Sequence, residues 1–177
     1  MAGTRGQDDV VIRQRVPTDD AAISYLNEAA FGGSYESRLI EDLRAGGLAA
    51  IELVAEEETA IVGHILFGAL SVTLDGEEVR TLALAPMSVR PDRQQIGIGS
   101  ALVRQGLDLA RHREWEAVMV LGHADYYPRF GFSAAVAARL QAPFSGPAFM
   151  ALELASGALS GRLGRVVYPP AFGLGPG

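Results

Sequence analysis

The sequence predicts a mixed α/β fold (α+β-like): a mostly antiparallel sheet with one parallel strand pair and helices on both faces. Three observations predict it. Strand-like and helix-like apolar patterns follow one another in the order β-α-α-β-β-β-α-β-α-β-β. Asp75-Gly76 separates two apolar runs, a two-residue hairpin signal that makes its neighbours antiparallel. From Met87 to Leu121 a strand, a glycine-containing turn, a helix and a second strand succeed each other. That pattern joins parallel strands through a right-handed crossover.

Each element has its own signal. Val10 to Val16 alternates apolar and polar residues as a first strand, and Pro17 stops it. Thr18-Asp19-Asp20 offers N-cap chemistry to a helix from Ala21 to Phe31, with Ile23, Leu26 and Ala30 on one face. Gly32-Gly33 breaks that helix. A second runs from Glu36 to Ala45, with Leu39, Ile40 and Leu43 inward, and Gly46-Gly47 closes it. Ile51 to Glu56 and Ala60 to Thr73 read as strands around the acidic turn Glu56-Glu57-Glu58-Thr59. Val79 to Arg90 is the fourth strand. Pro86 inside it has no N–H for the ladder, so a bulge or splay is expected there.

Ser100 to Arg113 is the main helix, with Leu102, Val103, Gly106, Leu107 and Ala110 at helical spacing. Ala117 to Leu121 is a continuous apolar run, expected as a buried strand. Asp125 to Phe130 is expected as a short helix ending at Gly131, and Phe132 to Ala135 as the start of a strand. Ala148 to Leu154 is expected as the final strand, and 157–177, rich in Gly and Pro, as coil. The expected organisation is a polar, disordered tail over 1–9, one domain over 10–172 and a short tail over 173–177.

Composition narrows the function. A chain of 177 residues, 49% apolar, is long enough for a real core. No apolar run reaches the roughly 20 residues that span a bilayer. Met1 to Asp9 lacks the apolar stretch of a signal peptide, so the cytoplasm is the expected location and no membrane partner is expected. With no cysteine there is no thiolate nucleophile and no disulfide, and the three histidines lack metal-ligand spacing, so no metal is expected. The net charge of −6 argues against nucleic acid as a partner and suits a cationic substrate. All fifteen basic residues are Arg, so no side-chain Lys amine is present.

The chemistry concentrates in Arg93-Gln94-Gln95-Ile96-Gly97-Ile98-Gly99-Ser100. A glycine turn that opens a helix presents unpaired backbone N–H groups, and the helix dipole adds partial positive charge. That is a phosphate site. Gly97 and Gly99 carry no Cβ and let phosphates approach closely. The spacing is neither the dinucleotide fingerprint nor the Walker A loop. It is Gln-x-x-Gly-x-Gly, which resembles the acyl-coenzyme A pyrophosphate loop of the GNAT superfamily of N-acetyltransferases.

Other pieces agree with that resemblance. Leu84 to Val89 with Pro86, then Arg90-Pro91, is similar to the superfamily's fourth strand and its lead-in. Val120-Leu121-Gly122-His123, then Tyr126-Tyr127-Pro128-Arg129-Phe130-Gly131-Phe132, is similar to its second motif. Phe149 to Leu154 and Val167-Tyr168-Pro169-Pro170-Ala171-Phe172 resemble the tail of a branch of predicted bacterial N-acetyltransferases. The resemblance spans roughly residues 10 to 172. It implies the splayed sheet of that superfamily, acetyl-CoA as co-substrate, and a small-molecule or peptide amine as acceptor. The reaction it implies is direct attack of a primary amine in a ternary complex. The competing reading is a non-catalytic acyl-CoA-binding or sensing module. An exposed final strand would allow a homodimer.

The site residues it implies are specific. Gln94, Gln95, Gly97, Ile98, Gly99 and Ser100 would hold the pyrophosphate. The backbone of Met87, Ser88 and Val89 would pair with the pantetheine amides like an added strand, with the N–H near Met87 polarising the thioester carbonyl. Tyr127 would be the general acid for the departing thiolate; as a packed tyrosine it would only fill space. Tyr126 reads as structural. His123 reads either as a base or as a loop histidine. Glu36 and the loop from Phe31 to Tyr35 occupy the region that lines the acceptor pocket; Glu36 would hold a cationic amine, or simply favour the helix dipole. His64 reads as packed and His112 as surface. Two departures stand out. Ile96 replaces the basic residue common before the first loop glycine, a loss that Arg93 or Arg129 would offset. Thr81 to Ala85 carries no carboxylate base.

Overall fold

The computed structural model describes residues 9–174. Of the expected tails over 1–9 and 173–177, residues 1–8 and 175–177 lie outside them. The main sheet has the order β1-β2-β3-β4-β5-β7. Its strands are β1 Val10–Gln14, β2 Ala49–Glu57, β3 Ala60–Leu74, β4 Glu77–Val89, β5 Ala117–Leu121 and β7 Phe149–Glu153. Neighbours run antiparallel except β4 and β5, which are parallel. Helices α1 Asp20–Phe31 and α2 Tyr35–Ala45 precede β2, and α3 Ile98–His112 joins β4 to β5.

Alternation along the strands sends apolar side chains to both faces. On one face Ile23 of α1 and Leu39, Ile40 and Leu43 of α2 belong to the cluster that holds Val54, Leu66 and Leu70. On the other, Leu102, Val103 and Leu107 of α3 share a cluster with Leu53, Ile65 and Phe67. Each such buried side chain contributes about 1.5–3 kcal/mol. Gly106 sets the approach of α3: a β-carbon there would lie 2.2 Å from the Phe67 ring.

Two features of β4 open the sheet. Between the pairs Ile65↔Met87 and Phe67↔Leu84 the register shifts, so Leu66 alone faces both Ala85 and Pro86. This is the bulge expected at the proline. Before it, β4 and β5 pair only over Thr81–Ala83 and Ala117–Met119. From there the two strands part.

The C-terminal third differs from expectation. The short helix expected over Asp125 to Phe130 is a 3₁₀ turn, Tyr127–Phe130. The strand expected from Phe132 is one bridge, Ser133↔Ala151, followed by α4 Ala134–Ala137. The Ser133 side chain accepts from the Val136 N–H, which favours helix over strand. Nor is β7 the final strand. The expected coil after Gly157 contains β8 Gly164–Val167, antiparallel to β3 and parallel to a two-residue β6, Leu140–Gln141. Gly164 is needed there because Leu140 lies 2.3 Å from where its Cβ would stand. The outer edge of β7, expected to be free for pairing, carries the Ser133 bridge at Ala151.

A buried polar network lies beneath α1. His64 is fully buried and its Nε2 lies 2.8 Å from Glu52 Oε1. Arg44 also donates to Glu52. Asn27 donates to Ile23 O, which fixes its amide orientation and offers the other N–H to His64 Nδ1 at 3.4 Å. His64 is therefore the neutral tautomer with its proton on Nε2, donated to Glu52. Burial pushes the imidazole below its ordinary value, although Glu52 pulls the other way.

A histidine held neutral in the fold opposes folding once the unfolded chain protonates it, at about pH 6.5. Its contribution is complete above that pH and is lost as pH falls. The expected outcome is a Tm that drops between pH 7.5 and 5, with a flatter profile in His64→Gln, measured by thermal melts across that range.

Candidate active site

The parting of β4 and β5 leaves a cleft of about 860 Å³. One wall is the run from Ala83 to Val89, and the opposite wall is Met119 to His123. Gln94 and Gln95, which lead into the glycine loop, line one end, and aromatic residues from α1, α2 and the C-terminal segment line the other.

The glycine loop turns its N–H groups outward. Gln95 has φ +64° and Gly97 has φ +93°, both left-handed. Gly97 is the N-cap of α3. From Gln94 through Ser100 no backbone N–H donates to any group among the described residues. Ala101 is the first to find a partner, Gly97 O. Seven consecutive unpaired donors at a helix N-terminus form a cradle for anionic oxygen. At Gly99 a β-carbon would stand 3.6 Å from Met87 Cε and from the Tyr126 hydroxyl, so a methyl fits but the cradle floor rises.

Strand alternation shows which β4 amides face the cleft. The Arg90 N–H donates to Val62 O. With Ser88 opposite His64, Arg90 and Ser88 turn their amides toward β3. Met87 and Val89 therefore turn theirs to the other edge, where β5 has moved away. Of the three residues expected to offer backbone there, Met87 and Val89 do so and Ser88 does not. The Val89 carbonyl already accepts from Gln94 Nε2, so the Gln94 side chain braces the loop against the strand.

Tyr127 is buried, and its ring lies on Gly122, where a β-carbon would come within 2.4 Å of Cε2. It packs edge-on against Tyr126 and Phe132. Its hydroxyl lines the cleft, has no hydrogen-bond partner among the described residues and is not sealed from the cavity. Burial pushes its pKa up to about 12, with the neighbouring Tyr126 adding to the effect. The phenol is thus a neutral donor at any physiological pH.

Tyr126 does more than pack. Its hydroxyl lies 2.9 Å from Ser100 Oγ, tying the tyrosine turn to the first turn of α3. Arg129 stacks 4.4 Å from its ring centroid. His123 is exposed at the cleft rim, and its carbonyl accepts from the Tyr126 and Tyr127 N–H groups. Arg93 does not stand free beside the loop: it is paired with the buried Glu57 at 2.8 Å. Arg129 remains the cation on the cleft lining.

At the far end Phe31 and Glu36 line the cleft, as expected, joined by residues the sequence did not single out as site residues. These are Phe144, Tyr168 and Phe172; Tyr35, from the expected 31–35 loop, lines it too. Phe144 meets Tyr168 edge-on at 5.2 Å, and Tyr168 meets Phe172 at 5.1 Å. The Tyr35 hydroxyl donates to Phe172 O at 2.6 Å.

Known proteins share this architecture. The model of the acetyltransferase (GNAT) family matches residues 21–132. The chain is 32% identical over 166 residues to the uncharacterized N-acetyltransferase YhbS of Escherichia coli, covering 92% of this chain and 98% of that one. The crystal structure of YhbS from Escherichia coli in complex with CoA superposes with a TM-score of 0.85 at 31% identity, over 94% of this chain and 93% of that one. A GNAT family acetyltransferase from Brucella melitensis, in complex with acetyl-CoA, gives a TM-score of 0.76 at 34% identity, over 92% and 97%. With the loop, the bulged fourth strand and the open cleft in place, this chain belongs to the GNAT family of acetyltransferases.

Proposed function

We propose that the chain is an N-acetyltransferase that moves the acetyl group of acetyl-CoA to a primary amine by direct attack in a ternary complex. One observation carries the reading: the run of unpaired N–H groups from Gln94 to Ser100 begins at Gln94 and Gln95, which line the same cleft as Tyr127, whose hydroxyl has no partner among the described residues. Relatives of similar length are described in complex with CoA and acetyl-CoA, which supports that ligand here.

Acetyl-CoA supplies an activated acetyl carbon and a thiolate leaving group. The loop N–H groups hold its pyrophosphate. Met87 N–H and Val89 N–H face the parted edge, where an amide-bearing arm pairs as an added strand. Met87 N–H steadies negative charge on the thioester oxygen as the amine nitrogen bonds to the carbonyl carbon. The C–S bond then breaks toward Tyr127. A cationic acceptor gives up one proton, to His123 at the rim or to water, before it attacks, and a second as the amide forms.

Tyr127 acts chiefly as a hydrogen-bond donor. Its pKa of about 12 lies roughly 3.5 units above a thiol near 8.5. At 1.36 kcal/mol per unit, full transfer runs uphill by about 5 kcal/mol. A donated hydrogen bond to the developing thiolate stabilises it without that cost, and the proton follows from solvent. The second reading, an acyl-CoA-binding module without turnover, is favoured by one observation: no carboxylate stands on the cleft-lining stretch from Ala83 to Val89.

Three outcomes test the reading. Gly99→Val raises branched carbon into the cradle and weakens acetyl-CoA binding at least tenfold, about 1.4 kcal/mol. Gly99→Ala serves as the folded control, and calorimetry reads both. Unchanged affinity in the valine variant removes the loop from phosphate binding.

Tyr127→Phe lowers kcat by about 10²- to 10⁴-fold, the range for one acid group, while acetyl-CoA affinity changes little. Wild-type turnover in that variant, on a confirmed acceptor, ends the assignment.

Gly122→Ala tests the same ring without removing its hydroxyl. The new methyl displaces the Tyr127 ring from its seat, so kcat falls by about tenfold or more. Circular dichroism and melting show whether the fold survives. Full activity in Gly122→Ala shows that the ring position is not what the reaction needs.

A further inference from the structure

The acceptor end of the cleft has a composition of its own. Five aromatic residues line it: Phe31, Tyr35, Phe144, Tyr168 and Phe172. Three of them form a fixed wall through edge-on contacts, Phe144 to Tyr168 to Phe172. The Tyr35 hydroxyl is anchored on the carbonyl of Phe172, which ties α2 to that wall. Phe31 and Tyr35 are large rings left 47% and 48% exposed. Neither stacks on another ring among the described residues. Rings exposed at a cleft rim, beside a wall already ordered, leave apolar surface for a ligand to cover.

Among these rings stands one acid. Glu36 is half-buried, lines the cleft, and has no hydrogen bond or ion pair among the described residues. Its charge reaches the Tyr35 hydroxyl, which burial and Glu36 together push above its ordinary pKa. The other acid on the lining, Asp125, is exposed in the tyrosine turn at the loop end, four residues from Arg129. A lone carboxylate against aromatic faces is the surrounding that an organic ammonium needs.

We propose that the acceptor is a small amine with an aromatic body, an arylalkylamine in class, its ring against the Phe144–Tyr168–Phe172 wall and its ammonium drawn in by Glu36. The inference rests on the acetyltransferase reading above. The cleft of about 860 Å³ must also take the pantetheine arm, so the acceptor is small. A polyamine needs several spaced acids, and this end offers one. A long acyl chain would suit the rings but would bury the Glu36 carboxylate against hydrocarbon without a partner.

The test separates this inference from the reading beneath it. Calorimetry first measures acetyl-CoA binding to the intact chain. Coenzyme A release is then followed with phenethylamine and tryptamine, against spermidine, propylamine and a lysine-containing peptide. The expected result is a kcat/KM at least tenfold higher for the arylalkylamines. Glu36→Gln is expected to raise their KM at least fivefold, with acetyl-CoA affinity within twofold of wild type. Phe31→Ala, at an exposed ring whose loss leaves the core intact, is expected to narrow the preference over propylamine. If acetyl-CoA binds and spermidine, propylamine or the peptide is turned over as well or better, the inference falls and the acetyltransferase reading stands. It falls too if acetyl-CoA binds and no arylalkylamine is turned over, or if Glu36→Gln leaves KM unchanged. Protein that binds no acetyl-CoA overturns both.

Discussion

The structure depends on the parting of two parallel strands. β4 and β5 share only three residue pairs, Thr81–Ala83 with Ala117–Met119, before they diverge. A sheet interior ordinarily satisfies every amide through its neighbours. Here Met87 and Val89 keep amides on an edge that no strand fills. The bulge opposite Leu66 sits just before them and re-aims the end of β4. The proline that helps to make it cannot donate to the ladder, so little pairing is given up where the turn occurs. The cleft is therefore a consequence of backbone geometry before any side chain is considered, and the glycine loop and the tyrosine turn follow directly from the two parted strand ends.

Glycine at close contacts places the reactive groups. Gly106 lets α3 sit against Phe67, which sets the height of the helix over the sheet. Because the loop N–H groups belong to the start of that helix, its height sets where they point. Gly122 receives the Tyr127 ring in the same manner. The hydrogen bond between Ser100 and Tyr126 then joins the two ends across the cleft. A tyrosine expected only to pack thus braces the turn that carries Tyr127. Nothing local in Tyr126-Tyr127 distinguishes the two roles; the distinction arises because adjacent residues of a tight turn point in different directions.

What was legible in the sequence follows from how local each signal is. Ala117 to Leu121 and the helix boundaries near Phe31 and Ala45 are written in periodicity and in neighbouring glycines, and the structure has them there. The hairpin at Asp75-Gly76 and the bulge at Pro86 rest on single residues with strict backbone demands. The turn into α3 was equally visible, because Gly97 and Gly99 mark it. The C-terminal part was not. Gly164–Val167 is four residues among glycines and arginines, and it is a strand only because β3 extends past its pairing with β2 to meet it. Hence Tyr168 and Phe172 could be read as part of a family-like tail but not as cleft wall. The pairing of Arg93 with Glu57, 36 residues apart, was hidden for the same reason.

The two ends of the cleft are held by different forces. At the loop end, α3 is fixed by apolar packing, with Leu102, Val103 and Leu107 in the interior. At the acceptor end, α1 and α2 pack apolar residues as well, but they also rest on charge. Arg44 of α2 reaches both Glu52 of β2 and Asp20 of α1, and Asn27 of α1 leans on His64. Buried polar layers of this kind are strong only when every member is satisfied. Two members are not: Asn27 Oδ1 and Ser88 Oγ are buried without partners, and both adjoin His64. An apolar seat is insensitive to acid, whereas one that holds a buried neutral histidine yields to it. The helices that carry Phe31 and Glu36 are therefore the more adjustable wall, set against a loop end fixed by backbone and close packing. That division suits a site in which one ligand is constant and the other is selected.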